Sequence, residues 1–132
     1  MHFAPALYEV LYVSSLAPGQ PLSVVAGIAV AARAANARMD ITGLLVFDGQ
    51  RFCQQLEGPP KAVLKLIERI RSDPRHDHVE VLHHGPLAGR RHHNFSLAFS
   101  TVEDVDALER LERLDGLAAL SAFDTVRGEL VL

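Results

Sequence analysis

The stretch Ile41–Leu56, ITGLLVF-DGQ-RFCQQL, decides the reading of the fold. Ile41–Phe47 is short, apolar and rich in branched side chains, which marks a strand. Asp48-Gly49 is a tight-turn dipeptide of the kind that closes hairpins. Arg51–Leu56 returns as the next strand, and here the two faces separate. Phe52, Gln54 and Leu56 share one side, Cys53 and Gln55 the other. Gly58-Pro59-Pro60 stops the pairing.

The elements on either side follow from this hairpin. Leu7–Ser14 (LYEVLYVS) reads as a strand buried on both faces. Ala17–Pro21 is a turn, and Leu22–Asn36 is an alanine-rich helix, thin enough for a ligand to approach its backbone. After the hairpin, Lys61–Ser72 is an amphipathic helix with the apolar stripe Val63, Leu64, Ile67 and Ile70. Arg69 and Asp73 lie four apart on one side, and Asp73-Pro74 ends the helix. Val79–His84 and Asn94–Ser100 supply a fourth and a fifth strand. Val105–Leu120 is a helix carrying Leu108, Leu111, Leu114 and Leu117, and Ala122–Leu132 is a short helix or strand. The order predicts an α+β fold: a ferredoxin-like βαββαβ sheet with an added fifth strand. Two helices cover one face, and the C-terminal helix or helices cover the other. Residues 1–100 form the main unit, and 101–132 form a helical extension packing on the same domain.

Composition narrows the functions. The 132 residues are 48% hydrophobic and 22% charged, which suits one domain with a core. Net charge is −3, so a broad electrostatic grip on nucleic acid is not expected. Two tyrosines and six phenylalanines are the only aromatic residues besides histidine, too few for a base-stacking platform. A single cysteine excludes an internal disulfide. The first residues lack the charge and apolar run of a signal peptide, and no stretch is long enough to span a membrane. The expected location is the cytoplasm.

Several residues could carry chemistry. Six of the seven histidines fall between His76 and His93. They read either as a metal site or, with no HxxxH spacing, as solvent-facing residues of loops and strand ends. Cys53 reads as a nucleophile or as a buried structural thiol. Gln54 would place an amide in the core if its face meets the helices, where it must find partners. Tyr12 brings a hydroxyl to the middle of the first strand, and Asn36 closes the first helix, where it could also serve as a cap. If these three polar groups converge between helices and sheet, they form a small polar site in an apolar pocket.

The sequence resembles the BLUF domains, blue-light sensor modules that bind FAD. The matching blocks are LYEVLYVSS (Leu7–Ser15), ARAANARMDITGLLVFDGQRFCQQLEG (Ala32–Gly58), RIRSDPRH (Arg69–His76) and GPLAGRRHHNFSLAF (Gly85–Phe99). The resemblance implies FAD as cofactor, with FMN as an alternative. It places the photochemical tyrosine on Tyr12, the essential glutamine on Gln54 and the flavin-ring asparagine on Asn36. Arg69 and Asp73 fall on positions near the cofactor, and Ile28 and Ile70 become apolar walls of the flavin slot. Light would move an electron and a proton from Tyr12 by way of Gln54, leaving its amide rotated or tautomerised and the absorption shifted to the red.

The chain departs from the family pattern at Ala32, at Ala35 and in the fifth strand. There Phe95 and Leu97 stand where tryptophan and methionine are usual. Together the departures imply altered dark recovery and weaker flavin retention around an intact Tyr–Gln–flavin core. The fifth strand, with Phe95 and Leu97, is the expected signalling strand. No catalytic activity is expected, and the output would pass to a separate protein partner or a change in self-association, with the stripe Leu108–Leu117 as contact surface. The alternatives are an interaction module of BLUF descent with impaired or lost photochemistry, or a small enzyme using Arg69, Asp73 or the histidines.

Overall fold

The computed structural model describes residues 6–92, 98–101 and 106–128. Strand β1 is Leu7–Leu16, helix α1 Val24–Arg38, strand β2 Thr42–Phe47, strand β3 Arg51–Gly58 and helix α2 Pro60–Ser72. Strand β4 is His76–Leu87, strand β5 Ala98–Thr101, helix α3 Ala107–Glu112 and helix α4 Gly116–Gly128. The strands form one sheet in the order β4-β1-β3-β2-β5. β1 lies antiparallel between β3 and β4, and β5 joins β2 in parallel. The sheet is the ferredoxin-like arrangement with one strand added, as the hairpin and its flanks predict.

Alternation along the strands sorts the core into two layers. On one face, Val10, Tyr12 and Leu56 pack under α2 against Val63, Leu66 and Ile67. On the same face, Leu45, Phe47 and Phe52 pack under α1 against Val25, Ile28 and Ala29. On the opposite face, Leu11, Val13, Leu44, Val46 and Cys53 meet Leu108, Leu111, Leu120 and Phe123 of α3 and α4. The core beneath α1 and α2 is therefore split into two clusters.

Four expectations need correction. On α2 Val63 and Ile67 are buried as expected, but Leu66 joins them in place of Leu64, which is exposed. Leu66 falls within one turn of Val63, Ile67 and Ile70, and Leu64 turns away from that row. The helix expected over Val105–Leu120 is two helices. It breaks at Arg113–Asp115, and Gly116 then takes a left-handed φ of 57°, which glycine adopts without steric cost. The leucine stripe divides with it: Leu108 and Leu111 are core, whereas Leu114 and Leu117 reach solvent. Strand β4 extends beyond Val79–His84 at both ends, taking in His76 and His78 before it and Gly85–Leu87 after it. Register shifts opposite Leu11/Tyr12 and Val13/Ser15 carry its pairing through. Finally, α1 runs past Asn36 to Arg38, and Met39 takes the cap position. Phe95 and Leu97 lie outside the described residues.

Candidate functional site

The gap between the two clusters is a cleft of about 290 Å³ between α1, α2 and the sheet. It is lined by Tyr12, Leu45 and Gln54 from the strands and by Ile28, Ala32, Ala35 and Asn36 from α1. Leu66, Arg69 and Ile70 come from α2. Alanines leave the α1 wall without bulk, and Ile28 and Ile70 face the cleft from the two helices. All seven residues that the resemblance assigns to the switch and the flavin slot, Tyr12, Ile28, Asn36, Gln54, Arg69, Ile70 and Asp73, line this one cleft.

Register brings the central pair together. Tyr12 of β1 is directly opposite Gln54 of β3, and Leu45 of β2 is opposite Gln54 on its other side. The Tyr12 hydroxyl donates a hydrogen bond to Gln54 Oε1. That engages the acceptor end of the amide and leaves its Nε2 to donate elsewhere. Burial, with smaller contributions from Cys53 and Asp73, pushes the Tyr12 hydroxyl well above the usual phenol range, so it stays protonated and acts as a donor. Asn36, expected to end α1, is fully buried in its last turn.

The rim is basic. Arg38, Arg69 and Arg75 line the cleft beside Asp73. Asp73 does not pair with Arg69 as the four-residue spacing suggests. The chain leaves the helix there in an extended conformation, and Arg75 closes a fork on the carboxylate, Nη2 to Oδ2 at 2.6 Å. That hydrogen bonding holds the Asp73 carboxyl below the usual carboxylate range.

Of the described histidines, His78 and His84 are exposed, as the solvent-facing reading expects, whereas His76 and His92 are not. Among the described residues no group of three or more His, Cys, Asp and Glu is placed to hold a metal ion. His76 lines the cleft instead of facing solvent. Its Nδ1 is 3.0 Å from Ser14 Oγ, and its ring lies 4.9 Å from that of Phe52. His92 is buried against β3 on the opposite face. Cys53 is fully buried, and burial pushes its thiol pKa up, as for a structural cysteine. Sequence reasoning missed Arg38, Arg75 and His76 as cleft residues. The last two stand in the block RIRSDPRH, which was the available signal.

A flavin fits these residues. Its flat ring needs a thin apolar slot with donors and acceptors at one edge, and its phosphorylated tail needs cations near the mouth. Ile28, Ile70 and the alanines give the slot, Gln54 and Asn36 the polar edge, and Arg38, Arg69 and Arg75 the positive rim. Fold and cleft together define a flavin-binding photoreceptor domain, a signalling module built around a hydrogen-bonded tyrosine and glutamine. Over residues 7–98 the sequence matches the family described as BLUF, sensors of blue-light using FAD, and the chain belongs to that family.

The dark-state structure of BlrB, a BLUF protein, superposes with a TM-score of 0.78 at 31% identity. It covers 97% of this chain and 100% of that one. Klebsiella pneumoniae BlrP1 with FMN and cyclic diGMP superposes at 0.72 and 33% identity, over 89% of this chain and 34% of the other. The blue light- and temperature-regulated antirepressor BluF of Escherichia coli (strain K12) is 33% identical over 73 residues, 55% of this chain and 18% of that protein. Photoactivated adenylate cyclase subunit beta of Euglena gracilis is 49% identical over 55 residues, 42% of this chain and 6% of that protein. The chain therefore spans less than a fifth of either curated relative. No helix among the described residues is long and apolar enough to cross a membrane.

Proposed function

We propose that Tyr12 and Gln54 are the light switch of this domain, with Ile28, Asn36, Arg69, Ile70 and Asp73 holding FAD. FMN is the alternative cofactor, since the basic rim suits either phosphorylated tail. The observation that carries the proposal is the buried hydrogen bond from Tyr12 to Gln54 Oε1 at the base of the cleft. A bound flavin supplies the absorption of blue light and an acceptor for an electron and a proton. Tyr12 holds its proton firmly in the dark, because a buried phenolate is disfavoured. Removing an electron from a phenol makes its hydroxyl strongly acidic, and Gln54 Oε1 is the acceptor already bonded to it. Gln54 then has two hydrogen-bonding patterns of nearly the same volume, one with its carbonyl toward Tyr12 and one with its amide N–H toward Tyr12. Ala32 and Ala35 leave more room around the ring than larger polar residues would.

The output is read by a separate protein or by a second copy of this chain in the cytoplasm. Residues 1–100 act as the flavin unit and 101–132 as the extension that carries the signal. Phe95 and Leu97 belong to the signalling strand on the strength of the sequence.

The test is a pair of absorption spectra, dark and after blue light. The protein should be yellow, shift to the red and recover in darkness. Tyr12→Phe and Gln54→Leu should keep flavin at the stoichiometry of the unsubstituted protein and lose the shift. A full shift in either variant would overturn the assignment. Bound flavin with no photocycle in the unsubstituted protein would favour the interaction-module alternative.

A further inference from the structure

Residues 54 and 55 are both glutamine, both buried and consecutive on β3, so one amide faces the cleft and the other faces away from it. Gln55 shares its face with Cys53, in the layer that meets α3 and α4. That layer is apolar at its centre beneath the helices, with buried Glu57 and the Arg51–Glu112 pair toward the ends of β3, and an amide adds nothing to its packing that leucine would not. Gln55 Oε1 accepts a hydrogen bond from His92 Nε2 at 2.8 Å. Its own Nε2 is buried with no hydrogen-bond partner among the described residues.

His92 is held to the same strand. Its backbone N–H donates to Glu57 Oε1 at 2.7 Å, two residues beyond Gln55. Asp124 and Arg127 of α4 lie close enough to His92 to bias its charge. At the other end of β3, Arg51 Nε reaches Glu112 Oε2 of α3 at 2.9 Å. The strand that carries the switch is thus bonded to α3 through its other face, packs with the apolar side chains of α4, and holds His92 near the charges of α4.

We propose that Gln55 and His92 form the contact through which a change at Gln54 reaches α4, which makes Gln55 a positioning residue of the output. The inference rests on the Tyr12–Gln54 switch proposed above. Gln54 and Gln55 share a peptide unit, so a rearrangement that shifts β3 at one moves the other. An amide with a buried donor left over is poorly fixed in one arrangement, and a small shift lets it exchange partners. Burial keeps the His92 imidazole neutral, so it has one N–H to give, and donation to Gln55 fixes which nitrogen carries it.

The experiment is hydrogen exchange read by mass spectrometry on the flavin-bound full chain, dark and illuminated, with the absorption shift recorded on the same samples. In the unsubstituted protein the amides of α4, Gly116–Gly128, should exchange about fivefold faster in the light, the factor that one net hydrogen bond represents. Gln55→Leu and His92→Phe should keep the red shift and lose the response in α4. His92→Gln, which retains an N–H donor, should restore it. If Gln55→Leu does not fold, the two His92 variants carry the comparison. An undiminished α4 response in Gln55→Leu or His92→Phe overturns the proposal. So does a shifting unsubstituted protein whose α4 does not respond. An unsubstituted protein that binds flavin and never shifts overturns the Tyr12–Gln54 switch, and the relay with it.

Discussion

Gly43 shows how one residue sets the spacing of the switch. It pairs with Leu56 across β2 and β3, and a Cβ built on it would sit 2.3 Å from the backbone oxygen of Gln55. Relief by a rotamer change is not available, because the obstacle is main chain. β2 can approach β3 this closely only with glycine there, and that approach seats Leu45 beside Gln54. Gly43→Ala should therefore lower stability by about 1–3 kcal/mol, the usual cost of overpacking, read as a reduced urea midpoint with unchanged slope. At this scale much was legible. Tyr12 and Gln54 stand out as polar groups in apolar strands, and period-two alternation assigns Gln54 and Gln55 to opposite faces. Arg75 and His76 were not legible as cleft residues, because they follow a helix end and nothing local says which way the chain turns next.

At the scale of the element, α1 is the wall that makes a slot. Its alanines keep the backbone close to the cleft while Val25, Ile28 and Ala29 anchor it to the sheet. Leucine is a good helix former, so Ala32→Leu should leave the fold intact within about 0.5 kcal/mol. Its extra carbons would occupy the cleft, and the flavin dissociation constant should rise about tenfold or more. Flavin-to-protein absorbance ratio after dialysis measures this, with thermal melting as the control. β4 and the α3–α4 pair are where periodicity misleads. Bulged pairing carries β4 back to His76, through a segment that the sequence leaves between the helix stop at Asp73-Pro74 and Val79. The three-residue leucine spacing runs through the break at Arg113–Asp115, because spacing reports apolar faces and not helix ends.

For the whole molecule, the two sheet faces share one dependence on pH. Burial lowers the pKa of His76 beside the cleft and of His92 behind β3 below the ordinary value of 6.5. The unfolded chain then binds protons that the folded chain refuses, so the stability these residues leave intact above pH 6.5 is lost as pH falls from there through the folded values. The melting temperature should decline on acidification below about pH 6.5, and His92→Gln should flatten that decline. A decline of the same steepness in His92→Gln and in the unsubstituted protein would show that His92 does not contribute.

The succession of elements, the two faces of β3, the hairpin, the thin helix and the family resemblance all follow from the amino-acid sequence, because periods of two and 3.6 and turn chemistry act over a few residues. Only the tertiary structure decided that the hydroxyl of Tyr12 meets the amide of Gln54, that Asn36 turns inward, that Arg75 and not Arg69 takes Asp73, and that His92 closes on Gln55. Those partners are up to 42 residues apart in the chain. They meet through register, bulges and the packing of helices on a sheet, which no local period encodes.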